Sequence, residues 1–351
     1  MAIATFNNVQ VSGIASAVPQ NVRYIMDFKG ELEEAEIKKF TKTTGVEKYH
    51  YTSEKQTTSD LCYVAAEKLI AHKQIEKDSI DAIIFLSQSP DYIMPATSHV
   101  LHKRLGLTQN CIAFDVNLGC SGYVYGLYLA ATLLQKGSIK RVLFLAGDTG
   151  GYNPELKAKD KMLFGDAGTA TLIEAGQDEI QCLLKSDGAG YGAIISPKGS
   201  HRNPIKEPLN YFEDIKGEMH GDQVFEFTIS EIPKAFEEFF EIYGGEINDY
   251  DYCVFHQANR FMLKHIAKKI KLPTEKMPIS IDRYGNTSSA SIPLGIADIC
   301  ETQEVPERLK LITSGFGIGL SWGVMNFEVN KSDVLPIIYT DAYYKEAYSG
   351  Q

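Results

Sequence analysis

Three residues of this 351-residue chain combine a reactive type with a setting suited to acyl transfer. Cys120 lies in NLGCSGYVYG, just after an apolar run ending at Asp115, and no charge follows it until after Gln135. A strand, a Gly-containing turn and a helix start make an elbow that holds a nucleophile out toward substrate. The first N–H groups of such a helix and its positive end favour a thiolate. Gly119 and Gly122 on either side let a substrate come close to the backbone. The other cysteines (Cys62, Cys111, Cys182, Cys253 and Cys300) fall in strand or helix patterns and read as inert core thiols. His256 closes the apolar run DYCVF and opens HQANR, at the C-terminal edge of a predicted parallel strand, where open α/β sheets gather their sites. Asn286 follows Gly285 in DRYGNTSSAS, a turn or helix-cap position when taken alone.

What could bring these three together is an internal duplication. DAIIFL starts at Asp81 and DYCVF at Asp251; each is followed by a helical stretch with a basic tail, LHKRLGL in one and IAKKIKL in the other. A second apolar run then ends in Asp, CIAFD at Asp115 and PISID at Asp282, and a third starts at Arg141 and at Arg308. Asp115 to Arg141 and Asp282 to Arg308 are both 26 residues apart. Each copy therefore predicts strand–helix–strand–helix–strand, the alternation of a mostly parallel α/β sheet. The stretches after Gly119 and Asn286 are rich in small residues and poor in charge, so both predict buried helices that two sheets clamp between them. The halves are expected at 1–176 and 177–329, with residues 330–351 outside the repeat. Cys120 and Asn286 then open equivalent helices, and His256 ends a neighbouring strand.

The composition is 44% hydrophobic and 23% charged, with a net charge of −10. That suits a globular chain and argues against nucleic acid as a partner, since phosphate binding needs a basic excess. The N-terminus lacks a basic head followed by an apolar run, and the apolar stretch 123–134 is too short to span a bilayer. Six widely spaced cysteines read as reduced thiols, so the expectation is a cytoplasmic protein with no membrane contact. No metal site is expected. The segment TSGFGIGLSWG, Thr313–Gly323, does not fit a phosphate loop, because a strand follows it rather than a helix. It reads as a loop that turns backbone N–H groups toward an oxyanion.

With these motifs in this order and at these separations, the chain resembles the β-ketoacyl-acyl-carrier-protein synthase III family of the thiolase superfamily. NLGCSGYVYGL, HQAN, GNTSSASIP, FGDAGTA at Phe164–Ala170 and the M-x-G-x-x-V-F pattern at Met219–Phe225 carry the likeness, over about residues 1–329. The resemblance implies a five-layered αβαβα thiolase-like fold, a homodimer and a decarboxylative Claisen condensation. It makes Cys120 the acyl acceptor and gives His256 and Asn286 the condensation step. Phe316, Gly317 and Ile318 then belong to the oxyanion loop, and Met94 is the residue that a partner subunit inserts into the acyl tunnel. No cofactor stays bound; the substrates are an acyl-CoA or acyl-ACP (acyl carrier protein) primer and malonyl-ACP.

Several positions depart from the family pattern. Ile318 stands where a glycine is usual, Lys39 and Thr43 where many members carry Trp and Arg, Glu226 where Lys is usual, and Met94 where Phe is usual. These differences point to a specialised primer, delivered by a carrier protein, rather than an acetyl starter. Arg260, Lys264, Lys268, Lys269 and Lys271 put five basic residues into twelve on an acidic chain. Arg260, Lys264, Lys268 and Lys269 form the expected docking patch for an acidic acyl carrier protein or its pantetheine arm. The rival readings are a papain-like Cys/His/Asn hydrolase, an acyltransferase that passes its acyl group to a hydroxyl or amine without decarboxylation, and a non-catalytic carrier-binding subunit.

Overall fold

Two long strands tie the duplicated halves into one sheet system. The computed structural model describes residues 2–135, 137–150, 161–204 and 217–348. β1 (Ala2–Pro19) runs antiparallel to β7 (Ala167–Ser186), with Ala2 opposite Leu184 and Ala17 opposite Gly168. The register slips at Asn7/Val9 and again at Val11/Gly13, bulges that let the ladder twist from one sheet into the other. The first part of β7 pairs with β6 (Arg141–Asp148), which continues to β4 (Ala82–Leu86) and β5 (Ile112–Val116). Its last part, from Cys182, pairs with β12 (Ser321–Asn330), followed by β11 (Arg308–Gly317) and β10 (Tyr252–Phe255). Short antiparallel pairs, β2 (Val22–Tyr24) with β3 (Lys48–His50) and β8 (Ile194–Ile195) with β9 (Glu218–Met219), lie outside this sheet. Residue 176, the expected limit of the first half, falls inside β7.

The core follows from which strand faces are apolar. One cluster joins the inner faces of both sheets to α4 (Gly122–Leu134) and α8 (Ser291–Thr302), including Tyr123, Val124, Leu127, Ile292, Leu294 and Ile296. On the outer face of the first sheet, α2 (Thr58–His72) and α3 (Thr97–Leu105) bury Leu61, Leu69, Leu101 and Leu105. On the outer face of the second, α5 (Gly221–Tyr243) and α6 (Arg260–Lys269) bury Phe236, Phe239, Leu263 and Ile266. The result is helix–sheet–helix–sheet–helix, the expected five layers. The helix α4 lacks charge because it is covered on two sides, where an unpaired charge would cost several kcal/mol; α8 carries only Asp298, paired with Arg283, and Glu301 near its end. α1 (Glu34–Thr44) and α7 (Ile281–Tyr284) pack at the periphery around Ile37 and Ile281.

One predicted strand is absent. Residues 278–280 of PISID pair with no strand, and α7 takes over from Ile281. Pro278 has no N–H to give a ladder. A side chain stands in for the neighbouring strand: Gln257 Nε2 donates to the Pro278 carbonyl at 3.4 Å, and Ser280 N–H donates to Gln257 Oε1 at 3.1 Å.

Residues 331–348 have a definite place. β13 (Ile338–Thr340) lies parallel to the end of β1, and Gln56 Nε2 donates to the carbonyls of Thr340 and Ala342 at 3.1 and 3.0 Å. This covers an edge that would otherwise expose unpaired backbone groups. Among the described residues no helix is long and apolar enough to cross a membrane.

Candidate active site

β10 ends at Phe255, so His256 leaves the sheet at its carboxyl edge, with its backbone N–H held by the Ser314 carbonyl of β11. β5 ends at Val116, and Cys120 lies on the turn just before α4. Asn286 is held from the other half: its N–H donates to the Leu163 carbonyl, and Gly165 N–H donates to its own carbonyl. Gly165 belongs to FGDAGTA and can be only glycine, because a Cβ there would sit 1.9 Å from the Tyr284 carbonyl oxygen. The motif is thus a backbone clasp that fixes Asn286.

Ser288 joins the three. Its hydroxyl lies 3.9 Å from Cys120 Sγ, its carbonyl lies 3.2 Å from His256 Nδ1, and its N–H donates to Asn286 Oδ1 at 2.9 Å. It adopts a left-handed backbone conformation, φ +50°, which a non-glycine residue holds only when its surroundings enforce it. Because Ser288 N–H occupies the Asn286 oxygen, the amide is oriented, and its Nδ2 has no protein partner among the described residues. That leaves an N–H donor for a substrate oxygen.

The protonation states decide what the cluster can do. Burial pushes the Cys120 thiol up to about 11, with the Asp148 carboxylate adding to the rise. The Ser288 hydroxyl and the N–H groups of Cys120 and Ile318 oppose it. The resting group is therefore a thiol, contrary to the thiolate expected from the helix start. Burial lowers His256 to about 4, so its imidazole is neutral. Ser291 Oγ lies 2.9 Å from Nδ1 and 2.7 Å from the Ser288 carbonyl. The ring thus has two tautomers open to it: Nδ1–H donating to the Ser288 carbonyl, or Nε2–H with the Ser291 hydroxyl donating to Nδ1.

The expected loop residues line this cluster. Phe316 is buried and meets the His256 ring edge to face, 5.5 Å between centroids. A Cβ at Gly317 would fall 2.6 Å from Cys120 Cβ, and the Ile318 side chain packs toward Gly119. Gly317→Ala should therefore push the nucleophile out of line. We expect catalysis to fall about 100-fold, with an overpacking cost of about 1–3 kcal/mol. Steady-state rates and denaturant melts check both; a variant with full activity would show that the contact is not tight.

Other expected groups lie elsewhere. Met94 and its neighbour Ile93 are 80% and 93% exposed. Lys264 and Lys268 are exposed, with no hydrogen bond or ion pair among the described residues. Arg260 packs against Gly45. Lys269 donates to the Ile229 carbonyl at 2.7 Å. Pro233, four residues on in α5, has no N–H for that carbonyl, so Lys269 satisfies a helix break. Lys39 and Thr43 lie on α1. Cys62, Cys111, Cys182 and Cys253 are buried, and burial raises all four thiols. Among the described residues no group of His, Cys, Asp or Glu is arranged to hold a metal ion. Sequence reasoning missed Ser288, Ser291 and Asp148; the run of hydroxyls in NTSSAS was the available signal.

Known proteins share this architecture. Residues 114–192 match the family model for 3-oxoacyl-[acyl-carrier-protein (ACP)] synthase III, and residues 241–329 match the model for its C-terminal part. A Campylobacter jejuni 3-oxoacyl-[acyl-carrier-protein] synthase 3 is 33% identical over 344 residues, covering 92% of this chain and 95% of that protein. A Xanthomonas campestris beta-ketoacyl-[acyl-carrier-protein] synthase III is 30% identical, covering 90% and 96%. A crystal structure of a 3-oxoacyl-(acyl-carrier protein) synthase from Burkholderia xenovorans superposes with a TM-score of 0.88 at 36% identity, covering 97% of this chain and 99% of that one.

Proposed function

Because the chain belongs to the 3-oxoacyl-[acyl-carrier-protein] synthase III family, we propose that Cys120, His256 and Asn286 carry its two half-reactions in one chamber. The enzyme is an acyltransferase-class condensing enzyme of fatty-acid-type synthesis, joining an acyl thioester to a malonyl thioester with loss of CO₂. In the first half-reaction Cys120 sulfur bonds the acyl carbon, the carbon–sulfur bond to the donor breaks, and the thiol proton ends on the departing thiol. Backbone N–H groups at Cys120 and Ile318 stabilise the oxyanion in between. In the second, the malonyl group loses CO₂ and its enolate oxygen is held by Asn286 Nδ2–H and His256 Nε2–H. The carbanion attacks the acyl carbon on Cys120, and the thiolate that leaves takes up one proton. Neutral donors suit this step, since a nearby acid would protonate the carbanion.

The observation that carries this reading is Ser288 in contact with sulfur, imidazole and amide at once. It disfavours the papain-like alternative, in which the Asn orients the His; here the Asn286 oxygen is taken by Ser288 N–H. A neutral imidazole beside a neutral thiol also differs from the ion pair of such proteases. The reading is tested by a mass-spectrometric screen for acyl thioesters that add their acyl mass to the enzyme, followed by malonyl-ACP and a CO₂ assay. A protein that loads no acyl group, or that loads one and never releases CO₂, ends it.

Ser291→Ala tests the tautomer. Without the hydroxyl that can donate to Nδ1, the ring keeps its proton on Nδ1 and loses the Nε2 donor. Condensation should slow about 10-fold, the worth of roughly one hydrogen bond, while acyl loading stays at the wild-type rate. Rapid-quench measurement of the two steps separates these outcomes; equal slowing of both would refute the assignment.

The primer is proposed to be specialised and carrier-delivered, on the strength of Ile318, Lys39, Thr43 and Glu226. Lys264 and Lys268, with the 47% exposed Phe261 on the same helix, are the proposed docking contacts for an acidic acyl carrier protein. Ile93 and Met94 are apolar side chains held out in solvent, which supports a homodimer whose partner subunit receives Met94 into its acyl tunnel. Six unpaired cysteines support a cytoplasmic site of action.

A further inference from the structure

The segment after β13 has no part in the chemistry above, yet it is tied down side chain by side chain. Gln56 Nε2 holds the carbonyls of Thr340 and Ala342. Beyond them, the Tyr344 ring lies 4.5 Å from the Arg104 guanidinium, and the Tyr348 carbonyl accepts from the Tyr92 hydroxyl at 2.9 Å. Contacts one turn apart in the tail thus reach two places, the last turn of α3 and the residue just before Ile93.

Arg104 is the centre of this arrangement. Its side chain is buried, and a buried cation is tolerated only where its charge and its N–H groups are met. Nη2 pairs with Asp60 at 2.8 Å, and Nη1 donates to Ser59 Oγ at 3.1 Å. The Tyr63 ring lies 4.4 Å from the same guanidinium, so two aromatic rings cover it. Ser59 in turn donates to Asp91 Oδ2 at 2.7 Å. Tyr344, Arg104, Ser59 and Asp91 therefore make one continuous line from the tail to the loop.

Asp91 and Tyr92 immediately precede the exposed Ile93 and Met94. On the far side of these two, the N–H groups of Thr97 and Ser98 donate to the Asp115 carboxylate at 2.6 and 2.8 Å, and Thr97 Oγ1 accepts from Asp91 N–H at 3.0 Å. Residues 93–96 are thus a short arch clamped at both feet, with apolar side chains at its crown. An arch ordered before it meets a cavity loses little freedom on entering it.

We propose that residues 343–348, with Arg104 as the positioning residue, brace this arch and so set which acyl lengths the partner subunit's tunnel accepts. This rests on the reading that Met94 enters that tunnel, and it gives the C-terminal segment a role in specificity. A fixed plug ends the tunnel at one depth, whereas a plug free to swing back admits longer chains.

The test compares wild type, Tyr344→Ala, Met94→Ala and a chain ended after Ala342, which keeps β13 and both carbonyls that Gln56 holds. Each is loaded with a series of saturated acyl-ACP thioesters from acetyl to palmitoyl, and acyl-enzyme is followed by mass spectrometry. In the truncated chain and in Tyr344→Ala, kcat/KM for the first length that wild type loads poorly, relative to its best length, should rise at least about 10-fold, with the best length itself within about threefold of wild type. Met94→Ala should shift the ratio the same way, and joining it to the truncation should add little, because both act through one plug. Hydrogen exchange checks the brace directly: amides of residues 91–94 should exchange at least about 10-fold faster in both tail variants, while those of β13 stay protected. Tyr344→Ala keeps the whole chain and covers the case in which the truncated chain misfolds. A wild-type length ratio in both tail variants, unchanged exchange at residues 91–94, or a shift fully additive with that of Met94→Ala overturns the brace. A wild-type ratio in Met94→Ala overturns instead the placement of Met94 in the tunnel.

Discussion

Cys120→Ala should abolish acyl-enzyme formation and lower condensation by on the order of 10⁴-fold or more. The argument is chemical rather than structural. The sulfur supplies the bond that splits one slow transfer into two faster ones, and alanine offers nothing that can hold an acyl group. The fold should tolerate the change, since alanine is smaller and the tight neighbour, Gly317, needs only that nothing larger stand there. Decarboxylation of a malonyl thioester should persist in the variant, because His256 and Asn286 are held by Ser288, Ser291 and the Phe164–Asn286 bridge rather than by the sulfur. Intact-mass spectrometry after incubation with acyl donor is the direct measurement. An acyl adduct surviving on the alanine protein would place the nucleophile elsewhere.

The complementary result concerns the two neutral donors. His256→Ala and Asn286→Ala should each load acyl groups at near the wild-type rate yet condense at least 10²–10³-fold more slowly, the usual cost of one donor aimed at a developing oxyanion. His256 is lowered to about 4 by burial, so it carries no charge above about pH 5 and takes no part as an acid at neutral pH. Its contribution is directional, an Nε2–H fixed when the Ser291 hydroxyl donates to Nδ1. Asn286 contributes in the same sense, its amide fixed by Ser288 N–H. The pair should not be additive: with one donor gone, the enolate is left largely unsupported and the second loss adds little. Rapid quench for loading and CO₂ release for condensation give the two numbers. Acyl loading that collapses in His256→Ala would make the imidazole the base of the first step and return the papain-like reading to contention.

These expectations rest on a site that was partly legible in the residues alone. Cys120, His256 and Asn286 each announced themselves by position: after a strand, at a sheet edge, at a helix start. The spacing of the duplication implied that Cys120 and Asn286 share one centre. The charge-free stretch from Cys120 to Gln135 located the central layer, because only burial on two sides removes charge from a whole helix. What could not be read was anything set by cross-chain contact. Ser289 and Asp148 are 141 residues apart, and nothing in NTSSAS or RVLFLAGD says that they meet. The protonation state of Cys120 was misjudged for the same reason: a helix start is local, whereas burial and a carboxylate from another strand are not. PISID looked like a strand by pattern, yet Pro278 withholds a donor and Gln257 replaces the missing neighbour. The basic helix shows the opposite case, since Lys269 reads as a docking charge until the carbonyl freed by Pro233 is seen.

The ladder between β1 and β7 has a consequence for biosynthesis. Ala2 waits for Leu184 and Ala17 for Gly168, so the first strand emerges from the ribosome long before its partner exists. At translation speeds of about 5–20 residues per second the gap is roughly 10 to 40 s. Throughout that interval an eighteen-residue segment with many apolar side chains is an open edge, able to pair with other nascent chains. Yield in the cell should therefore depend on chaperones that shield the amino terminus during translation. Slowing elongation between the two strands should lengthen that exposure and favour aggregation.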